Sequence, residues 1–226
     1  MWFLCWTVLA HATAPVVAMG DGLVVAPPET ATSVPATLGW VPVLADCLNE
    51  RAPGSFQMID RVVPGETAQS ARGRVTSVLE LSPSVVIVGV GARELGVPEP
   101  DVGAFDQGLQ ALVDDLGSSA SAPLDVVLLG VVPPRDETPD STAAKAVEAW
   151  NARMAQLAES RASVHFVDLW TKWPKLGEGR TSLLTSPHEL SPAGHARVAS
   201  HVCEVLVNLR PMSTHPKQAP SATEPE

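Results

Sequence analysis

Val16-Val17-Ala18-Met19-Gly20-Asp21-Gly22-Leu23 is an apolar run that stops abruptly at a Gly-Asp pair. Two adjacent valines favour a pleated strand, and Gly-Asp favours a tight turn directly after it. The same rhythm recurs downstream, with further strand-like runs at 56–63, 84–90, 124–132 and 164–169. These runs are continuously apolar rather than alternating, as strands covered on both faces by helices must be. Between them lie helical stretches at 39–51, 67–81, 102–116, 141–160 and 192–209. In the third, Phe105, Leu109, Leu112, Val113 and Leu116 recur at steps of three and four, giving one apolar stripe. The last opens with Ser191-Pro192, an N-cap followed by proline at the first helical position. Strand–helix alternation predicts an α/β fold, a three-layer α/β/α sandwich on a flavodoxin-like parallel sheet of about five strands.

At 226 residues the chain accommodates one such domain with a full core, expected to span 15–209. Hydrophobic residues make up 45% and charged ones 18%, a globular composition. Fifteen Lys+Arg against twenty-five Asp+Glu leave a net charge of −10 with no basic cluster. That excludes nucleic acid and anionic membrane surfaces as partners. Residues 1–14 are apolar and end in two small-x-small sites, Ala10-His11-Ala12 and Ala12-Thr13-Ala14, like the back half of an export signal without its positive start. They are too few to span a bilayer, so no integral membrane segment is expected. Secreted or periplasmic and cytoplasmic locations both stay open, as does the oligomeric state. Pro/Thr-rich loops at 24–37 and 133–142 fall at carboxyl ends of strands, where open α/β sheets bind ligands. The tail from Arg210 lacks periodicity and reads as disordered. Cys5, Cys47 and Cys203 have no metal-ligand spacing. Cys47 and Cys203 fall on the first and last helices and read as buried thiols, a bridge being open to them only in an oxidising compartment.

Four blocks in order give the chain a resemblance to the SGNH (GDSL-type) hydrolases over nearly all of 15–209. Gly20-Asp21-Gly22-Leu23 resembles the Gly-Asp-Ser-Leu block. Val63-Pro64-Gly65-Glu66-Thr67 resembles the Ser-Gly-Asp-Thr segment, whose glycine amide helps form the oxyanion hole. Ile87-Val88-Gly89-Val90-Gly91-Ala92 stands where the family has Gly-x-Asn-Asp. Leu190-Ser191-Pro192-Ala193-Gly194-His195 matches the segment after the catalytic histidine, and Trp150-Asn151-Ala152 resembles a Tyr-Asn-x helix start before the fifth strand.

The resemblance implies carboxylic-ester hydrolysis, which needs a hydroxyl nucleophile, an imidazole base, a carboxylate to orient it and oxyanion donors. Each position carries something else here. The nucleophile position is Gly22, and the side-chain oxyanion donor, normally asparagine, is Gly91 with Ala92 beside it. Counting back from Gly194 puts Glu189 at the histidine position and Ser186 at the aspartate position, with His188 one residue out of register. Oxyanion contacts are left to the amides of Gly22 and Gly65. One lost donor typically costs about 3–4 kcal/mol of transition-state stabilisation. Asp21 reads as a turn carboxylate bonded to backbone, with a relocated nucleophile or base as the sharper alternative. His195 reads as a surface residue and Asp168 as a structural hydrogen-bonding group; Trp170 and Trp173 read equally as groove or core.

Two functions remain. One is a non-catalytic member that binds a small ester, acyl or glycan-like ligand, or a protein partner, above Gly22, Gly65, Gly91 and Glu189. The alternative is a divergent, active carboxylic-ester hydrolase using His188 or Glu189 with a water. Neither calls for a metal or an organic cofactor. A nucleotide-binding reading is disfavoured because no glycine-rich phosphate loop follows the first strand.

Overall fold

The computed structural model describes residues 13–23, 39–97, 99–132, 140–173, 182–186 and 189–209. Residues 1–12, 24–38, 98, 133–139, 174–181, 187–188 and 210–226 lie outside them. Five parallel strands form one sheet: β1 (Ala14–Gly20), β2 (Phe56–Val62), β3 (Val85–Gly89), β4 (Asp125–Leu129) and β5 (Val164–Val167), in the order β2-β1-β3-β4-β5. This is the expected flavodoxin-like order.

Alternation along the strands divides the core in two. Val17, Met19, Val86, Val88, Val126 and Leu128 face one layer, made chiefly by α2 (Ala68–Arg72), α3 (Val75–Leu79), α5 (Val102–Ser119) and α6 (Thr142–Ser160). Val16, Ala18, Val85, Ile87, Val127 and Leu129 face the other, made by α1 (Trp40–Arg51) and α8 (Pro192–Leu209). Because both side-chain faces are covered, every residue of β3 is buried. Among the described residues no helix is long and apolar enough to cross a membrane.

Several boundaries differ from the sequence expectation for identifiable reasons. The expected helix at 67–81 is two, α2 and α3. Gly73 is a weak helix former, and Arg74 leaves helical geometry (φ −107°, ψ 1°) to grip Glu66. β4 stops at Leu129 because Val131 bonds to a side chain instead of a ladder. The Val131 amide donates to Asn151 Oδ1 (2.9 Å), and Asn151 Nδ2 donates to the Val131 carbonyl (2.9 Å). Asn151 and Trp150 therefore act from the middle of α6, not from a helix start. β5 stops at Val167 because Asp168 caps the short α7 (Leu169–Lys172), accepting from the Thr171 amide at 2.9 Å. A second short helix, α4 (Ala92–Leu95), and an antiparallel hairpin of β6 (Leu184–Ser186) and β7 (Glu189–Leu190) carried no periodic signal.

Two expectations are corrected. Cys47 and Cys203 are not free thiols but a disulfide, because α1 and α8 lie side by side with the two Cα atoms 6.3 Å apart. His195 is not a surface residue: it lies on the core face of α8 with Gly194, Val198 and Val202 and is 9% exposed. Trp173 is core, whereas Trp170 is only partly buried.

The ends of β1 and β3 approach so closely that Gly20 (φ +107°) has no room for a side chain. A Cβ there would stand 1.9 Å from the Gly89 carbonyl oxygen. Gly20→Ala must therefore push two central strands apart, and we expect a loss of more than about 3 kcal/mol. Gly54→Ala, also at positive φ but with nothing within 4 Å, is expected to cost only about 1 kcal/mol. Urea unfolding midpoints of the two variants check the contrast; equal losses would refute the close-approach argument.

Candidate functional site

Gly22, Gly65 and Gly91 follow the carboxyl ends of three adjacent strands, β1, β2 and β3, where the in-register partners Val62, Gly20 and Gly89 meet. The edge is organised around Asp21, which is fully buried. Its Oδ1 accepts from the Leu23 amide (2.7 Å), closing an Asx turn after β1. Its Oδ2 accepts from the amides of Ala92 (2.9 Å) and Arg93 (3.4 Å) at the start of α4. One carboxyl thus ties the β1 turn to the β3 turn. It holds backbone as expected, across two turns rather than one, and its fully buried oxygens are bonded to amides instead of being presented to a ligand.

Burial pushes the Asp21 carboxyl up to about 8, with the nearby Glu94 charge adding to the rise, against the pull of the three amides. Glu94 is itself raised, chiefly by burial, although its Oε1 accepts from the Ala68 amide at 2.9 Å. A second carboxylate, Glu66, is buried beside them. Glu66 Oε2 accepts from the Gly20 amide (3.1 Å), and Arg74 donates from Nε to Oε1 (2.6 Å) and from Nη2 to Oε2. The sequence offered no signal for this pair, since Glu66 lies in the turn before α2 and Arg74 between α2 and α3, where no period relates them.

Val63-Pro64-Gly65-Glu66 forms a β-turn, with the Glu66 amide donating to the Val63 carbonyl (3.0 Å) and Gly65 at φ +76°. Proline followed by glycine at positive φ is the signature of a type II turn. Among the described residues, neither the Gly22 nor the Gly65 amide donates to a protein acceptor. The two backbone donors expected at the oxyanion position therefore stay uncommitted.

The positions of the missing side chains are occupied. Gly22 sits at φ +70°, and a Cβ on it would stand 2.6 Å from Val62 Cγ1. The next residue, Leu23, is also left-handed (φ +63°) and buried, a strained conformation for a leucine. Gly91 sits at φ +116°, where a Cβ would meet Val131 Cγ2 at 2.6 Å and Phe105 Cε2 at 3.3 Å. Phe105 is held there by stacking on the buried Trp150, ring centroids 4.3 Å apart. A serine at 22 or an asparagine at 91 would be strained at that φ and would need a shifted neighbour.

Ser186 and Glu189 pair across the β6–β7 hairpin, with His188 in the connection outside the described residues. The hairpin is anchored to α8: Ser191 caps the helix through the Gly194 amide (3.1 Å) and donates to the Ser182 carbonyl (2.7 Å). Gly194 is required there, because a Cβ would fall 2.2 Å from the Leu183 oxygen. A cleft of about 370 Å³ opens beside α4, lined by Thr67, Gln69, Arg93, Glu94, Asp101 and Phe105. Gly22, Gly65 and Gly91 do not line it. Among the described residues no cluster of His, Cys, Asp or Glu could hold a metal ion.

The raised Asp21 carboxyl has a stability consequence. The folded state holds a proton there that the unfolded chain releases near its ordinary value of 3.8. The contribution of Asp21 to stability is therefore fully present below about 4 and is lost as pH rises towards 8. We expect urea unfolding between pH 5 and 8 to show this decline and Asp21→Asn to reduce it, leaving the slope due to Glu94. An unchanged slope in the variant would place the titration elsewhere.

A family model described as the GDSL-like Lipase/Acylhydrolase family matches residues 18–197. No curated protein matches by sequence. Among solved structures, the lipase/acylhydrolase from Enterococcus faecalis superposes with a TM-score of 0.67 at 17% identity, covering 92% of this chain and 100% of that one. An alpha/beta hydrolase enzyme from the metagenome of Lake Arreo gives 0.69 at 15% identity, over 89% of this chain and 99% of that one. A catalytic mutant of an acetylxylan esterase from Geobacillus stearothermophilus gives 0.69 at 15% identity, over 87% and 95%. At these identities the structures establish a common fold, and the family match extends from β1 into α8. The chain belongs to the GDSL-like lipase/acylhydrolase family.

Proposed function

We propose that this chain is a non-catalytic member of its family, which keeps the sheet-edge site and binds a small ester, acyl or glycan-like ligand there. One observation carries the reading: the nucleophile and oxyanion side-chain positions are not merely vacated but repacked. Val62 Cγ1 lies 2.6 Å from where a serine Cβ would be at Gly22, and Val131 Cγ2 and Phe105 Cε2 lie 2.6 and 3.3 Å from where an asparagine Cβ would be at Gly91. Without a hydroxyl at 22 no acyl-enzyme forms, and without a donor at 91 the developing oxyanion keeps only the Gly22 and Gly65 amides. Those two amides still suit a carbonyl or carboxylate oxygen, and the valines around them suit an apolar group attached to it. Glu189 and Ser186, at the histidine and aspartate positions, supply neither base nor orienter for a serine.

Hydrolysis of short-chain p-nitrophenyl esters tests this directly. We expect the purified chain to match a His188→Ala/Glu189→Ala control at background rate. Turnover above that control would replace the binding reading with a water-based hydrolase using His188 or Glu189. Gly22→Ser is expected to fold with a loss of about 1–2 kcal/mol, from left-handed strain and the shift of Val62, and to stay inactive. Robust, phosphonate-sensitive turnover by Gly22→Ser would refute the reading.

Gly91→Asn probes the repacking separately. At φ +116° and against Val131 and Phe105, it is expected to lose about 3 kcal/mol in chemical denaturation. A cost below about 1 kcal/mol would mean that the position still admits the family's asparagine.

A further inference from the structure

The disulfide joins two helices that pack side by side on one face of the sheet. Cys47 lies on α1, the first helix after the Asp21 turn, and Cys203 lies on α8, the helix that anchors the β6–β7 hairpin. Around the bridge, Leu44, Leu48, Val198, Val202 and Leu206 belong to one buried cluster. Cys203 is fully buried within it, while Cys47 is partly buried. The 156-residue separation means that the bridge closes nearly the whole domain into one loop, which restricts the unfolded chain more than any short bridge would.

We propose that this bridge is a structural clasp made in an oxidising compartment, and that the chain is exported to reach it. Bridges of this kind form where thiols are not held reduced by the cytosolic thiol pool. Making it converts two thiols into one S–S bond. The two electrons and two protons pass to a disulfide-form thiol oxidant, which becomes a dithiol. The cysteine arithmetic agrees. The chain has three cysteines, and the third, Cys5, lies in the apolar stretch before the small-x-small sites. Cleavage after Ala12 would remove Cys5, leave β1 whole from Ala14, and yield a chain whose two remaining cysteines are both bridged. The inference is independent of whether the site is catalytic.

Counting thiols tests the bridge. The oxidised full chain, denatured without reductant, should show one maleimide-reactive thiol, Cys5, and three after reduction. Reduction should lower the melting temperature of the wild type by roughly 10 °C and leave that of Cys47→Ser/Cys203→Ser unmoved. Three reactive thiols after treatment with glutathione disulfide, or a melting temperature indifferent to reductant, would overturn the clasp; the thiol count decides even if the double variant fails to fold. Expressed in a bacterial host, the chain should appear outside the cytoplasm, shortened by about the first twelve to fourteen residues and oxidised. Full-length chain retained in the cytoplasm with all thiols reduced would overturn export.

Discussion

The carboxyl-terminal edge of the sheet depends on one buried carboxyl. Asp21 receives the amides of Leu23, Ala92 and Arg93, so the turn after β1 and the helix start after β3 are fixed to each other through a single side chain. Gly20 makes the arrangement sterically feasible by letting β1 touch the Gly89 carbonyl, and Glu66 completes it by taking the Gly20 amide. Glu66 in turn is buried only because Arg74 pairs with it, and satisfying that pair ends α2. A chain of obligatory polar contacts thus runs from the first strand to the second and third. Each link costs desolvation, offset at Glu66 by charge-assisted hydrogen bonds from Arg74 and at Asp21 by the three amides.

This explains why the family's residues persist selectively. Gly20, Asp21, Gly65, Ser191 and Gly194 each have a folding task visible in the coordinates: close approach, turn closure, positive φ or helix capping. Gly22 and Gly91, at the positions the resemblance makes chemical, stand at positive φ values that suit glycine, with valine and phenylalanine side chains close by. A family motif is a composite of fold-making and bond-making residues. A match to the first half establishes architecture and leaves activity to be argued from the second.

The same division governs what could be read from the sequence. The inner strands were legible because both their faces are buried, so the runs are uninterrupted in residues such as 85–89 and 126–129, whereas the edge strand β2 is part-exposed and carries Gln57, Asp60 and Arg61. Long helices were legible from a stripe like that of Phe105, Leu109 and Leu112. Elements of four or five residues were not, since α4 and α7 owe their existence to Asp21 and Asp168 accepting amides rather than to any period. The Cys47–Cys203 bridge followed from helix adjacency, which spacing along the chain does not encode. At the site, the losses at Gly22 and Gly91 could be counted from the motif, but not their repacking by Val62, Val131 and Phe105, which come from three other elements. The distal block was counted by spacing alone, whereas Ser186 and Glu189 prove to face each other on a hairpin.

Donors that serve catalysis must bind the transition state better than the ground state, and that preference is created by the nucleophile's attack, which turns a carbonyl into an oxyanion. On the proposed reading no attack occurs at glycine 22, so the Gly22 and Gly65 amides would meet only a ground-state oxygen. A donor pair in that position is wasted in an enzyme unless chemistry follows, yet it is sufficient for recognition, where modest, uniform binding is the whole task. On that reading an apolar group beside the bound carbonyl would pack against Val62, and burying the hydrogen bond would strengthen it. On the proposed reading, the substitutions that remove hydrolysis are therefore the ones that convert the site to binding an apolar, carbonyl-bearing ligand, and a single structural change accounts for both.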